Sequence, residues 1–280
     1  MTPLSCWTAL FPYLSWLDAC HIISTLGFSC VDLIARPRSA HAVTPWDALD
    51  LEPITESPQQ KAAELRSSLA DAGLEPTALF VIPPALWREL EVKDVERVFQ
   101  PVAEFCHQVG LPTIVFAASD IVGPGQITSI DFSEVVSRLQ AFVVVARDQG
   151  VSLALEPNFS SAVRTPKATR RLAENVSDLG LVIDPAHFVV QGYRQEELEP
   201  LWPFAKHVHA RQARPGFLQA RLEGGTIDFA AIVAALNGVD YEGAICIENI
   251  LLPDAAWLTS DYLDPVAETV ALRDLLQSLM

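Results

Sequence analysis

The sequence predicts an α/β fold, a single (β/α)8 TIM barrel in which residues 1–280 form one domain. Short runs rich in Val, Ile, Leu or Ala alternate with longer amphipathic stretches from end to end, and eight such units suit a closed barrel. The strand candidates are apolar throughout, which is typical of parallel strands covered by helices. An open doubly wound sheet is the rival fold, but no GxGxxG pattern follows the first strand.

The predicted elements follow one another in a regular order. The strand candidates are PLSCWTAL, FSCVDLIA, EPTALFVI, PTIVFAAS, VSLALEPN, GLVIDPAH, KHVHARQ and GAICIENI. The helix candidates between and after them are LSWLDACHIISTLG, SPQQKAAELRSSLADAG, VERVFQPVAEFCHQVG, DFSEVVSRLQAFVVVARDQG, TPKATRRLAENVSDLG, RQEELEPLWPFA, DFAAIVAALNGVDYEG and DPVAETVALRDLLQSLM. The segments 36–58 and 251–264 are predicted to be long loops over the active-site end of the barrel.

Helix boundaries carry their own signals. Several helix candidates end on a glycine, where a left-handed C-cap is expected because glycine has no Cβ. These glycines are Gly27, Gly73, Gly110, Gly150, Gly180 and Gly243. Three helix starts pair a capping side chain with a following proline, as is favoured at the first helical position. These pairs are Ser57–Pro58, Thr165–Pro166 and Asp264–Pro265.

Charge and composition exclude several classes of function. With 35 acidic against 19 basic residues, the net charge of −16 repels polyanions, so we expect no nucleic-acid partner. The first thirty residues are apolar, but no Lys or Arg precedes Arg36, and Pro3, Pro12 and Asp18 interrupt the run. We therefore expect neither a signal peptide nor a membrane span.

The five cysteines are scattered, without a CxxC pair. Buried free thiols in a reducing compartment explain this pattern better than disulfides or a zinc cluster. We therefore expect a cytoplasmic protein.

Ionisable residues end four successive strand candidates in the second half of the chain. In a barrel of this kind such positions meet at one mouth, where catalytic groups lie. The residues are Glu156, Asp184, His209 and Glu248. Because single buried carboxylates are costly, a divalent cation would hold the set together. Three oxygen donors and one imidazole favour Mn²⁺ or Mg²⁺, with Co²⁺ or Zn²⁺ as alternatives. The competing interpretation of each carboxylate is a helix cap or half of an ion pair.

The segments LALEPN, LVIDPAH, HVHARQ, EGGTIDF and YEGAICIEN resemble the xylose isomerase-like sugar isomerase/epimerase superfamily. In that family a Glu ends strand five, D-x-x-H follows strand six, H-x-H lies on strand seven, G-x-I-D-F begins helix seven, and a Glu ends strand eight. The match covers the C-terminal half; the N-terminal half agrees in architecture only. GFSCVDLI resembles strand two of the family, which would place Asp32 near the mouth. The DNA-repair endonuclease branch is disfavoured because its additional histidines on strands two and three are missing here.

The resemblance implies one catalytic metal, Mn²⁺ first, held by the same four residues. It further implies that His187 and a basic residue after strand seven contact the substrate. Arg211 and Arg214 both qualify. Many relatives have an acidic residue where this chain has Arg211, which leaves the reaction open. His207 is either a partner of His209 or, as we slightly prefer, a packed barrel residue.

The implied reaction is proton transfer next to a carbonyl through a metal-stabilised enediolate, on a sugar, keto-sugar or polyol-derived substrate. Glu156 and Glu248 would remove and return the proton, which gives an isomerase or epimerase. The same site serves a lyase, such as a dehydratase or a keto-glycoside-cleaving enzyme. A third hypothesis is a non-catalytic barrel subunit, and self-association into a homo-oligomer stays open. Trp257 and Tyr262 either stack on a sugar or pack in their loop, and the glycines of GGTID receive an anion or serve a helix cap.

Overall fold

Eight parallel strands close on themselves in the computed structural model, which describes residues 2–40, 47–123, 129–250 and 263–280. Each strand pairs with the next along the chain, and the last pairs with the first. The strands are β1 Leu4–Trp7, β2 Cys30–Arg36, β3 Glu75–Val81, β4 Thr113–Ala117, β5 Ser152–Glu156, β6 Gly180–Ile183, β7 Ala205–Ala210 and β8 Ile245–Ile247. A two-residue strand, Leu49–Asp50, pairs with the end of β2. The predicted (β/α)8 barrel is confirmed.

Helices surround the strands in the expected alternation. They are α1 Trp16–Thr25, α2 Leu51–Glu56, α3 Pro58–Ala72, α4 Val92–Val109, α5 Ala118–Ile121, α6 Ser129–Asp148, α7 Pro166–Asn175, α8 Ala186–Val189, α9 Phe229–Asn237 and α10 Pro265–Leu279. The helix predicted between β6 and β7 is wrong in type, since Gln195–Phe204 is a 3-10 segment. Pro200 and Pro203 lie inside it, and proline lacks the N–H that an α-helix needs.

The helix caps follow the sequence at most positions. Gly27, Gly73, Gly110 and Gly150 have the predicted positive φ. Gly180 and Gly243 do not, and these two predictions are wrong. The left-handed residues before β6 and β8 are instead Asp178, with φ 62°, and Asp240, with φ 50°.

A close approach explains why glycine stands at the two positions that were wrongly predicted. An added Cβ at Gly180 would lie 2.4 Å from the Lys206 side chain, and one at Gly243 would lie 2.5 Å from the Lys206 carbonyl oxygen. The side chains of Thr165 and Asp264 accept the predicted capping bonds, whereas that of Ser57 makes none.

The core lies in two layers. Between the sheet and helices α4 and α6, four aromatic rings pack with centroids 5.0 to 6.2 Å apart, and they belong to Trp87, Phe99, Phe116 and Phe142. Inside the barrel, small side chains of β3 to β6 fill one layer, and they are Ala78, Val115, Ala154 and Val182. Small residues on this side leave room across the barrel for the long polar side chains of the other strands.

Among the described residues, no helix has the length and hydropathy needed to cross a bilayer.

All five cysteine side chains are buried as free thiols, which confirms that part of the prediction. Burial raises the pKa of the Cys20 thiol to about 12 and shifts the pKa values of the other four upward as well. Thiolates, the reactive form, therefore appear only at strongly alkaline pH.

We expect the native protein at pH 8 to react with a thiol-specific disulfide reagent hundreds of times more slowly than the protein unfolded in guanidinium, which should release five equivalents. The measurement is the absorbance of the released reagent over time. A native thiol that reacts within the mixing time would contradict the burial described here.

Candidate active site

The four predicted ligand residues meet at one end of the barrel. Glu156 is the last residue of β5, His209 is the next-to-last residue of β7, and Asp184 and Glu248 directly follow β6 and β8. All four side chains are buried. The apolar strand before each residue fixes its depth, because parallel strands end at the same edge of a barrel.

His209 lies between two carboxylates. Its Nδ1 is 2.7 Å from Glu156 Oε1 and 2.8 Å from Glu248 Oε2. The hydrogen bond of Nδ1 runs to Glu156, and Glu248 Oε2 is a buried oxygen without a hydrogen-bond partner. Burial would lower the pKa of His209, but Glu248 and Glu156 raise it well above its usual value. The imidazole therefore carries a positive charge that balances one carboxylate.

Arg211 forms ion pairs with two of the buried carboxylates, Asp184 and Glu248. Its side chain is only 1% exposed, with Nη2 2.5 Å from Asp184 Oδ2 and 3.2 Å from Glu248 Oε2. Burial would raise the pKa of Glu248, but Arg211 and His209 outweigh it and lower that pKa to about 2. The other oxygen of Asp184 accepts a 2.8 Å bond from the backbone N–H of Ala186. Arg211, predicted to contact substrate, thus lies against two predicted metal ligands.

His187 completes the upper part of the site from helix α8. Its Nε2 is 3.2 Å from Arg211 Nη2, 3.7 Å from Asp184 Oδ2 and 4.0 Å from Glu156 Oε1. Burial lowers the pKa of His187 to about 4, so the imidazole is neutral at pH 7. Since the guanidinium can only donate, Nε2 accepts and Nδ1 carries the hydrogen. That Nδ1 is buried without a hydrogen-bond partner.

Asp32 lies beside His209, but inside its strand and not at the strand end. β2 continues to Arg36, so Asp32 is the third residue of its strand. Its Oδ2 is 2.6 Å from His207 Nε2 and 3.8 Å from His209 Nε2. His207 is therefore a hydrogen-bonded partner in a polar layer under His209, and the preferred interpretation as a merely packed residue is wrong. Burial would raise the pKa of Asp32, but His207 and further partners lower it to about 2.

Two hydroxyl groups in this lower layer, of Ser5 and Thr77, were not predicted from the sequence. Ser5 Oγ donates a 2.8 Å hydrogen bond to Asp32 Oδ1, and Thr77 Oγ1 donates to the same oxygen. Both lie in apolar strand candidates, and hydroxyl residues in otherwise apolar barrel strands were the signal available for finding them.

Other residues singled out in the sequence lie elsewhere. Arg214 holds its guanidinium carbon 4.8 Å from the centre of the Phe217 ring, and no contact to the buried carboxylates is seen within the described segments. His41, Trp257 and Tyr262 lie outside the described residues.

One of the two glycines of GGTID, Gly225, is needed for packing in the loop between β7 and α9. Gln212 Oε1 accepts hydrogen bonds from the backbone N–H groups of Ala213, at 3.0 Å, and Ile227, at 2.9 Å. An added Cβ at Gly225 would lie 2.2 Å from this Gln212 side chain, whereas one at Gly224 would meet only Arg221 Cβ, at 3.8 Å. Because Gln212 directly follows Arg211, these hydrogen bonds hold the loop next to the buried site.

The donor set suits a divalent cation. Glu156, His209 and Glu248 each offer a ligand atom, and these three atoms lie within 4.8 Å of one another. Glu248 Oε2 makes ion-pair contacts but no hydrogen bond, so it is an acceptor that a cation could use. Two carboxylates and one imidazole are ligands of hard or borderline divalent ions. The fourth predicted ligand, Asp184, is at present paired with Arg211.

Comparison with known proteins gives a consistent result. A family model described as a xylose isomerase-like TIM barrel matches residues 20–260. The chain spans about half the length of the curated relatives it matches. One of them, the inosose dehydratase of Salmonella typhimurium, is 30% identical over 131 residues, which cover 39% of this chain and 44% of the relative.

Solved structures resemble the chain over its whole length. D-psicose 3-epimerase with D-tagatose, from Clostridium cellulolyticum H10, has a TM-score of 0.71 at 14% identity and covers 100% of this chain and 99% of its own. A xylose isomerase-like TIM barrel protein from Mycobacterium smegmatis in complex with magnesium has a TM-score of 0.72 at 16% identity, with 100% and 98% covered. At these identities the likeness establishes the fold and leaves the reaction to the site.

We expect Gly225→Ala to lower the free energy of unfolding by about 1–3 kcal/mol, because the new methyl group overlaps the Gln212 side chain. Gly224→Ala is the matched control, with an expected change within about 0.5 kcal/mol. Denaturant unfolding followed by fluorescence measures both. Equal stability of the two variants would show that Gly225 is not needed for the packing of Gln212.

Proposed function

The chain belongs to the xylose isomerase-like TIM barrel family, and from this premise we propose that it is a metal-dependent sugar isomerase or epimerase. The proposed reaction moves a proton next to the carbonyl of a keto-sugar or polyol-derived ketone. The observation that carries the proposal is the placement of two buried carboxylates, Glu156 and Glu248, within 2.8 Å of the same His209 nitrogen. Such a cluster offers both a cation site and a base.

In this proposal Glu156, Asp184, His209 and Glu248 hold one divalent cation, Mn²⁺ before Mg²⁺, Co²⁺ or Zn²⁺. The magnesium in the related Mycobacterium smegmatis barrel supports a metal in this fold family. The bound cation would supply positive charge against the negative charge that develops on the substrate oxygens.

Glu156 and Glu248 are the proposed acid and base. They come from β5 and β8, with β6 and β7 between them, so they approach a substrate at the mouth from two sides. One carboxylate removes the proton beside the carbonyl, and the other returns a proton to the same carbon, with epimerisation or isomerisation as the result. Arg211 and His209 hold Glu248 in its ionised form, which is the form that can accept a proton.

His187 and Arg211 are the proposed substrate contacts. The neutral His187 has a buried Nδ1–H without a partner, which suits a hydrogen bond to a developing oxyanion. Arg214, at the rim of the same loop, is the second basic candidate. The D-tagatose in the related epimerase structure supports a small keto-sugar as the substrate class.

A second candidate reaction is elimination, and one observation favours it: an inosose dehydratase is among the relatives at 30% identity. Proton removal is the same first step. When a hydroxyl group lies on the carbon next to the one that loses the proton, it takes up a proton from the acid residue and departs as water, which gives an unsaturated ketone. No proton is then returned to carbon.

We expect the protein with added Mn²⁺ to introduce deuterium beside the carbonyl of at least one keto-sugar, 3-keto-glycoside or inosose in D2O, as read by NMR. Glu156→Gln and Glu248→Gln should each slow this exchange roughly 10²- to 10⁴-fold, because the amide cannot take up the proton. Substrate recovered with the label indicates an epimerase or isomerase, and new alkene signals indicate a dehydratase.

Glu223→Gln is the matched control, since that carboxylate is 75% exposed and lies outside the buried cluster. Its exchange rate should equal that of the unchanged protein. Full activity of either buried-site variant, or exchange that continues after the metal has been removed by a chelator, would refute the proposed roles. A protein inactive on every substrate and without affinity for any of the four metals would be a binding subunit.

A further inference from the structure

The buried site contains a cation of its own. Arg211 is 1% exposed and reaches both Asp184 and Glu248 with a single nitrogen, Nη2. Its Nη1 donates a 3.3 Å hydrogen bond to the backbone carbonyl oxygen of Glu248. The guanidinium is therefore inserted among the carboxylates at the barrel mouth.

The guanidinium takes a position that a bound ion would need. Metal ions of the proposed kind lie about 2.0–2.6 Å from carboxylate oxygens. Nη2 lies 2.5 Å from Asp184 Oδ2, within the range of distances at which an ion would lie, so the guanidinium and an ion would compete for the negative charge of that oxygen. Asp184 Oδ1 already accepts the Ala186 N–H, which leaves Oδ2 as the oxygen that both cations would use.

The arrangement of the other ligands agrees with this competition. Glu156, His209 and Glu248 already offer their ligand atoms around one point, whereas Asp184 forms a group with Glu156 and His187. Asp184 is thus close to Glu156 but is not grouped with His209 and Glu248, and its Oδ2 is paired with Arg211.

We propose that Arg211 is an internal competitor of the metal: it neutralises Asp184 and Glu248 in the metal-free protein and must release Asp184 before the ion gains its fourth ligand. This inference rests on the metal site of the proposed function. It goes further because it assigns Arg211 control over metal affinity. Once released, the guanidinium is free to bind a substrate oxygen, so one side chain serves the empty and the loaded site in turn.

The competition has a physical basis on both sides. Three buried carboxylates without a metal would repel one another, and the Arg211 guanidinium, which lies against two of them, relieves this repulsion. A metal that displaces the arginine must first break a charged hydrogen bond, which weakens its apparent affinity. The Arg211 ion pairs therefore stabilise the protein without metal and lower its apparent affinity for the metal.

The test is isothermal titration of chelator-treated protein with MnCl2. Arg211→Met keeps much of the side-chain volume and removes the charge, so we expect its Mn²⁺ Kd to fall roughly tenfold or more relative to the unchanged protein. Arg214→Met is the matched control, because it removes the same charge from the same loop without touching Asp184 or Glu248. Its Kd should stay within about twofold of the unchanged protein.

A second readout is thermal unfolding without metal. Arg211→Met should then unfold at a lower temperature than the unchanged protein and gain a larger increase on addition of Mn²⁺. Should the methionine variant not fold, Arg211→Lys serves in its place; lysine keeps the charge but loses the planar fork, so a smaller tightening is expected.

The outcomes separate the two hypotheses. Tight Mn²⁺ binding by the unchanged protein, with equal or weaker binding by both Arg211 variants, overturns the competition and leaves the proposed function standing. If neither the unchanged protein nor any variant binds Mn²⁺, and no other metal remains bound after chelator treatment, the metal site does not exist and both proposals fail. If Arg214→Met binds Mn²⁺ as tightly as Arg211→Met does, the inference is also overturned, because the effect then comes from the net charge of the protein.

Discussion

The arrangement of side chains at the barrel mouth depends on one constraint: carboxylates that are buried away from water must be neutralised. Asp32, Glu156, Asp184 and Glu248 are all at most 4% exposed, and an unpaired carboxylate in such surroundings costs several kcal/mol. The compensating groups are His207, His209 and Arg211. These three occupy alternate positions in β7 and directly after it, so they point to the same side and form a column of nitrogen-bearing side chains inside the barrel.

Along this column the site has three layers, which differ in whether their carboxylate oxygens can change partners. At the bottom, the Asp32 carboxylate is held by His207 and two hydroxyl groups. In the middle, the same Asp32 carboxylate lies 3.8 Å from His209 Nε2, while Nδ1 of that ring faces Glu156 and Glu248. The lower layer therefore supports the ring from below. Only the upper layer, with Arg211, retains an oxygen that could change partners.

The sequence predicted the barrel and the four residues at its mouth because an apolar run precedes each of them and fixes where its strand ends. The sequence did not show where β2 ends. The strand stays apolar past Asp32 and continues to Arg36, so Asp32 lies inside the strand and not at its end. The contact of Arg211 with Asp184 could not be predicted, since it depends on where a long flexible side chain lies between two strands. The catalytic roles and the single-domain extent of the chain remain predictions.

Arg211 is not made redundant by a metal, and charge balance explains why. An imidazole nitrogen that binds a metal must first lose its proton, so His209 would become neutral when the ion enters. The three carboxylates of the upper layers then face two positive charges from the ion, which leaves one negative charge without a partner. The guanidinium would balance that negative charge only if it stays close by after it has released Asp184. A small sideways movement of Arg211 is therefore favoured over its expulsion, and such a movement would leave it beside His187, where an oxygen of the substrate could be received.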